Sequence, residues 1–278
     1  MNPAAHELDV EGLELELLLE AMFRRYGADF RGYARSSLRR RIRNMVRDER
    51  LGSISALQEK ILREPEAMVR LLDHLSVCVT SMFRDPSFFL AFRQKVVPHL
   101  FSAPFVRIWC AGAATGEEVY SLAILLSEEG LFERCRLYGT DINAHLIEKA
   151  RRGVFDAALM GEYEANYRAA GGKGSLSDYF RVAYDGATPR HGLKRNILFA
   201  QHNLAIDGSF NEFNVILCRN VMIYFGAELQ NRVHELFFQS LRRKGFLCLG
   251  RRESLPRALA KTRYETVDAE ERIYRRRS

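Results

Sequence analysis

The run Ile108-Trp109-Cys110-Ala111-Gly112-Ala113-Ala114-Thr115-Gly116-Glu117-Glu118 carries the clearest chemical signal in this sequence. An apolar strand-like stretch passes into a turn of small residues and then into a helix, so a ligand can approach the backbone beside helix N–H groups. The turn is neither G-x-G-x-x-G nor a phosphate loop ending in Gly-Lys-Ser/Thr. Glu117 and Glu118 would repel a pyrophosphate and suit a cation, and they also fit as ordinary first-turn carboxylates. One βα unit later, Gly139-Thr140-Asp141-Ile142 sets an acid at the carboxyl end of a strand. There it can accept hydrogen bonds from both hydroxyls of a ribose, each worth roughly 1.5 to 3 kcal/mol. The alternative is that Asp141 only caps the helix beginning at Asn143. Turn and acid together point to a nucleoside with positive charge, which fits S-adenosylmethionine and its sulfonium.

These residues need a sheet to hold them. From Phe105 onward short β-rich runs alternate with helical ones: Val106 to Cys110, a helix from about Glu117, Arg136 to Thr140, a helix from about Asn143, then strands at Ile197 to Ala200, Phe213 to Cys218 and Phe246 to Gly250, with a helix from Ala227 to Arg242. Such alternation marks a parallel sheet built from βαβ units. Residues 156 to 196 interrupt it with several glycines, and Tyr179 to Ala183 is expected to pair with Leu193 to Phe199 as an antiparallel excursion. The first 80 or so residues read differently. Apolar residues recur there at spacings of three and four, through Leu15, Leu18, Leu19 and Met22, then Leu38, Ile42 and Met45, then Leu57 and Ile61, then Met68, Leu71, Leu72 and Leu75, which predicts four short helices. Ser53 fits as an N-cap.

The 278 residues are 47% hydrophobic and 28% charged, an ordinary globular balance that excludes a disordered or fibrous chain. No apolar run approaches the roughly 18 to 20 residues needed to cross a bilayer. The start is acidic and leucine-rich, without the basic region and cleavage site of a secretory signal, so a cytoplasmic protein without membrane insertion is expected. Five scattered cysteines without a C-x-x-C pair read as buried reduced thiols and no metal site.

Thr80-Ser81-Met82-Phe83-Arg84-Asp85, the run from Trp109 to Ile124, Thr140-Asp141-Ile142, Asn203-Leu204 and Cys218-Arg219-Asn220-Val221-Met222-Ile223-Tyr224-Phe225 resemble, in order and spacing, the successive motifs of the CheR family of chemotaxis receptor glutamate methyltransferases. The resemblance covers about residues 12 to 275. It implies an α/β fold: an all-α N-terminal domain (1–80), then a Rossmann-like S-adenosylmethionine-dependent methyltransferase domain (81–278) with a small antiparallel β-subdomain at about 177–200. It also implies methyl transfer to receptor glutamates by in-line displacement, leaving S-adenosyl-L-homocysteine. By the same resemblance Arg84 lies beside the donor and orients the incoming carboxylate, and Tyr224 lies near the transferred methyl. Thr80 contacts the donor's methionine part, Glu117 its amino group, Asp141 the ribose and Asn203-Leu204 the adenine edge. Gly112 in the turn also lines the donor, as do Arg219 and Asn220, which follow the fourth strand of the parallel set at the sheet's carboxyl edge. The bare residues leave other roles open: an ion pair of Arg84 with Asp85, a core position for Tyr224, a turn for Asn203. Three departures stand out. Cys78 replaces a customary Asn, the turn loses hydroxyls, and Gly250-Arg251-Arg252-Glu253-Ser254 replaces G-H-S-E-S.

The chain carries 42 Lys and Arg against 35 Asp and Glu, a formal charge of +7. Eight of those arginines fall between Arg31 and Arg50, and Arg35, Arg39, Arg43 and Arg47 recur every four residues opposite an apolar stripe, without interleaved acids. The family resemblance assigns this face to docking the acidic helical bundle of a chemoreceptor, by a monomeric enzyme. Nucleic acid is a competing partner for an arginine-rich helix, but the Asn/Asp-Pro-Pro-Tyr/Phe motif of base methyltransferases is absent and none is expected. A non-catalytic receptor-binding or nucleoside-sensing module on the same fold is the second class of reading.

Overall fold

A computed structural model describes residues 9–76 and 80–277. The chain forms two compact units, one taking in the N-terminal helices together with the segment Tyr224–Leu229, the other the remainder. Among the described residues no helix is long and apolar enough to cross a membrane.

The helical unit contains α1 (Val10–Tyr26), α2 (Arg35–Asp48), α3 (Ile54–Arg63) and α4 (Pro65–Leu75). Its core is the set of residues recurring at helical spacing, Leu15, Leu18, Leu19 and Met22, then Leu38, Ile42 and Met45, then Leu57, Ile61, Met68, Leu71 and Leu75, all buried, with α1 packed on α3 and α2 on α4. Asp9 accepts the Gly12 N–H at 3.0 Å and Ser53 accepts the Ala56 N–H at 3.1 Å, so side chains satisfy donors at the starts of α1 and α3. α1 stops at Gly27, whose φ of 69° is the left-handed cap. The segment 224–226 lies antiparallel against residues 32–34: the Ala34 N–H donates to the Tyr224 carbonyl and the Gly226 N–H to the Gly32 carbonyl, both at 2.8 Å.

The second unit begins with α5 (Pro86–Lys95), α6 (Val97–Leu100), β1 (Val106–Ala111), α7 (Glu117–Glu128), β2 (Cys135–Asp141) and α8 (Ala144–Arg152). There follow β3 (Phe155–Asp156), α9 (Met160–Ala169), β4 (Phe180–Ala183), β5 (Gly186–Pro189), α10 (His191–Lys194), β6 (Ile197–Gln201) and β7 (Phe213–Cys218). The last elements are α11 (Ala227–Ser240), β8 (Leu241–Leu249), α12 (Arg257–Thr262), β9 (Tyr264–Asp268) and β10 (Ile273–Arg276). Seven strands form one sheet in the order β6-β2-β1-β7-β8-β10-β9. The first five run parallel, and β10 is antiparallel to both its neighbours. Every residue of β7 is buried, as a strand covered on both faces requires. The strand order reverses at β1, so the carboxyl ends of β1, β2 and β7 frame the place where such sheets bind ligands.

The excursion departs from expectation. β4 pairs with β5, not with Leu193 to Phe199, and β3 completes a separate three-stranded antiparallel sheet. A two-residue turn, Tyr184-Asp185, closes the hairpin at once, with Tyr184 at a φ of 53°. β6 fills the edge beside β2 instead. Cys110, Cys135, Cys218 and Cys248 are free and buried, as expected; Cys78 lies outside the described residues.

Candidate functional site

The turn between β1 and α7 is tied to the end of β2 by its own backbone. The N–H groups of Gly112 and Ala113 both donate to the Thr140 carbonyl at 2.8 Å, and the Ala114 N–H donates to Asp141 Oδ2 at 3.0 Å. Gly112 sits at a φ of 80°, and a Cβ there would stand 2.3 Å from Val221 Cγ2, so only glycine permits this turn against the end of β7. Asp141 Oδ1 accepts the Asn143 N–H at 3.0 Å, while Asn143 itself caps α8 by accepting from His145. Capping therefore falls to Asn143, and Asp141 fastens the turn, accepting a further N–H from Ile142. Desolvation pushes its carboxyl above the ordinary range, against the pull of the N–H donors.

Glu117 is 6% exposed, and burial raises its carboxyl too, opposed by hydrogen bonds from the hydroxyls of Thr115, at 2.7 Å, and Thr80. The structure thus brings Thr80 to Glu117. Three residues beyond Thr80 the chain enters a strained loop: Phe83 has a φ of 51° and Asp85 of 58°. The Phe83 N–H donates to the buried Ser121 hydroxyl at 2.8 Å. Half-buried Arg84 lies between these two positions.

Arg219 is placed at the carboxyl end of β7 as expected, but its guanidinium is taken up by protein groups. It donates to Asp85 Oδ2 at 2.8 Å and Glu118 Oε2 at 2.7 Å, and its two terminal nitrogens lie 3.3 and 3.4 Å from the Arg84 carbonyl. Asp85 is thus an ion-pair partner of Arg219. Asn220 takes a φ of 61°, and its N–H, with those of Val221, Met222 and Gly250, donates to the buried Glu253 carboxylate at 2.6 to 2.9 Å. Sequence reading missed this residue. Its only signal was an acid three residues beyond the glycine that ends a strand. In the same replaced motif, Arg251 pairs with Glu271 at 2.5 Å and bonds Ser87.

Asn203 Oδ1 accepts the Ala205 N–H at 2.9 Å, so it does form a turn, as the alternative held. Its Nδ2 is buried and has no acceptor among the described residues. Leu204 is buried beside it. An orphaned amide donor past β6, two desolvated carboxylates near β1 and β2, and a turn only glycine allows fit a nucleoside carrying cationic groups.

Within the helical unit, the Arg41 guanidinium stacks 4.6 Å from the Tyr224 ring centroid and also donates to the Leu75 carbonyl. The arginine row on α2 is not free of acids, contrary to expectation, because α1 and its cap supply three and the end of α2 a fourth. Arg39 bonds Asp9 at 2.7 Å, Arg43 bonds Glu11 at 2.6 Å, Arg35 meets Glu16 at 3.3 Å, and Arg47 lies 3.5 Å from Asp48. Hydrogen bonds from Arg39 and Arg43 hold the Asp9 and Glu11 carboxyls below their ordinary values. The face remains open, with a groove of about 780 Å³ along Arg35, Arg39, Arg40, Arg43 and Arg47.

Residues 78–273 match the family described as CheR methyltransferase, SAM binding domain, and residues 13–76 match CheR methyltransferase, all-alpha domain. The chain is 45% identical over 264 residues to Cher3 of Pseudomonas putida, spanning 95% of this chain and 97% of that one. It is 30% identical to the chemotaxis protein methyltransferase of Vibrio parahaemolyticus over 228 residues, covering 78% of this chain and 80% of the other. The corresponding protein of Listeria monocytogenes shows 27% identity over 233 residues, with coverage of 82% and 85%.

Proposed function

Because the chain belongs to the CheR methyltransferase family, we propose that it methylates the side-chain carboxylates of glutamates on the cytoplasmic helical bundle of a chemoreceptor. S-adenosylmethionine is its cofactor and supplies an electrophilic methyl group on a sulfonium. The observation that carries the reading is the pair of desolvated carboxylates, Glu117 and Asp141, flanking a turn of small residues at the reversal of strand order.

In this reading Glu117, oriented by the Thr80 and Thr115 hydroxyls, receives the donor's ammonium group, and Asp141 receives the ribose. Gly112 and its neighbours line the donor, Asn203 offers Nδ2 to the adenine, and Leu204 packs on it. Asn220 presents backbone at the edge of β7. A glutamate substrate is already ionised at neutral pH, so no strong base is needed. Arg84 aligns the incoming carboxylate through its planar fork. Alignment of this kind lowers the barrier by roughly 7 to 11 kcal/mol, and loss of charge on transfer favours a site shielded from water. Tyr224 is assigned to the methyl-transfer centre by its motif. The first 80 residues serve docking, through Arg35, Arg39, Arg43 and Arg47, and the rest serves transfer.

Titration calorimetry with S-adenosylhomocysteine, followed by a methyl-transfer assay on a receptor fragment with alkali-labile product as readout, tests this. Micromolar binding and base-labile methyl incorporation are the expected results. Absence of binding at high micromolar concentration would eliminate the enzyme reading. Binding without transfer would favour a receptor-associated nucleoside sensor.

A further inference from the structure

The Arg219 side chain is 2% exposed and reaches from the carboxyl end of β7 into the loop that carries Arg84. Two carboxylates, Asp85 and Glu118, face its terminal nitrogens at 2.8 and 2.7 Å. Those nitrogens also lie within hydrogen-bonding reach of the Arg84 carbonyl, and the guanidinium stacks 4.0 Å from the Phe88 ring centroid. Only its Nε–H has no acceptor among the described residues. The loop it grips is strained on both sides of Arg84, with Phe83 and Asp85 in left-handed backbone. For a phenylalanine that conformation persists only when neighbours impose it.

We propose that Arg219 is a positioning residue for Arg84: its fork holds the 83–85 loop in left-handed backbone and so fixes where the Arg84 side chain starts. This rests on the role given to Arg84 above. A guanidinium suits the task because its planar set of donors can serve two carboxylates and a carbonyl at once, whereas an ammonium is a single point charge. The two carboxylates compensate the buried cation, which is what permits a charge at this depth. In this proposal the Arg219 side chain acts through the protein, by a contact one residue removed from the chemistry.

The test compares Arg219→Lys, Arg84→Ala and the double variant for turnover on a receptor fragment, for S-adenosylhomocysteine affinity and for hydrogen exchange at the Phe83 amide. The expected results for Arg219→Lys are a fall in kcat of at least tenfold, affinity within about threefold of the parent, and Phe83 exchange at least tenfold faster. The double variant should be no slower than Arg84→Ala alone. Wild-type kcat in a folded Arg219→Lys protein overturns the proposal, as does an additive double variant. An affinity loss of tenfold or more also overturns it, by returning Arg219 to the donor itself. Should Arg219→Lys fail to fold, Asp85→Asn, which removes one anchor and no charge from Arg219, is held to the same outcomes. Full turnover in Arg84→Ala sinks both this proposal and the reading it rests on; the Arg219 results alone sink only this one.

Discussion

Replacement of Arg84 by alanine is expected to cut turnover by about two to three orders of magnitude, leaving a residual rate that can still be measured, while costing donor affinity only a few-fold, since the side chain acts on the incoming carboxylate. An unchanged rate would remove Arg84 from the mechanism. Gly112→Ala addresses the turn. Its Cβ would meet Val221 at 2.3 Å, and the φ of 80° costs a further ~1–2 kcal/mol for any residue with a side chain. S-adenosylhomocysteine affinity should fall at least tenfold; retained affinity would show that the turn can shift without loss. The carboxylates predict a pH signature with a definite sign. Burial raises Glu117 and Asp141, so both take up protons at higher pH than an exposed carboxylate. Affinity for the cationic donor should therefore weaken on acidification earlier than exposed carboxylates would require, and Glu117→Gln should flatten that decline in calorimetric titrations at stepped pH.

Among the elements, the turn after β7 depends most on one side chain. Glu253→Ala leaves four N–H donors in a largely buried turn without their acceptor, and a loss on the order of 3 to 5 kcal/mol in chemical denaturation is expected. A loss below about 1 kcal/mol would mean that water replaces the carboxylate. The pairing of α1 with α2 changes how the basic face is tested. Arg39→Glu with Arg43→Glu should raise the receptor KM at low salt. Asp9→Asn with Glu11→Gln, which releases the same arginines, should lower it; if neither shift responds to salt, electrostatic docking fails. The parallel strands and four helices were legible because their apolar spacing is clean and their caps, such as Ser53, are local. β9, β10 and α5 went unread, since β9 and β10 are short, carry no period-two alternation and lie among charged residues, and α5 is a dense apolar run without a clear period. The arginine row was legible as a face, but the acids that α1 brings to it lie 19 to 32 residues away in sequence. Glu253 and Arg41 escaped for the same reason: their partners are set by the fold and not by spacing.

For the whole molecule, stability on the acid side should track His234. It is 2% exposed, and desolvation lowers its pKa to about 4 from 6.5. Between those values the unfolded chain holds a proton that the folded one lacks, so the contribution of His234 is fully present above about pH 6.5 and falls by ~1.4 kcal/mol per pH unit down to about 4. His234→Phe should flatten the dependence of Tm in that window; an unaltered slope would assign the acid limb to other groups. The antiparallel seam between residues 32–34 and 224–226 also bears on how this protein is made. A ribosome that has released only the N-terminal helices has not yet delivered the strip that completes their fold. Closure of the first unit must wait through the synthesis of some 150 further residues, leaving its seam bare for seconds to half a minute at ordinary elongation rates. Assembly of the two halves is therefore interleaved in time, with the earliest part of the chain among the last to be finished.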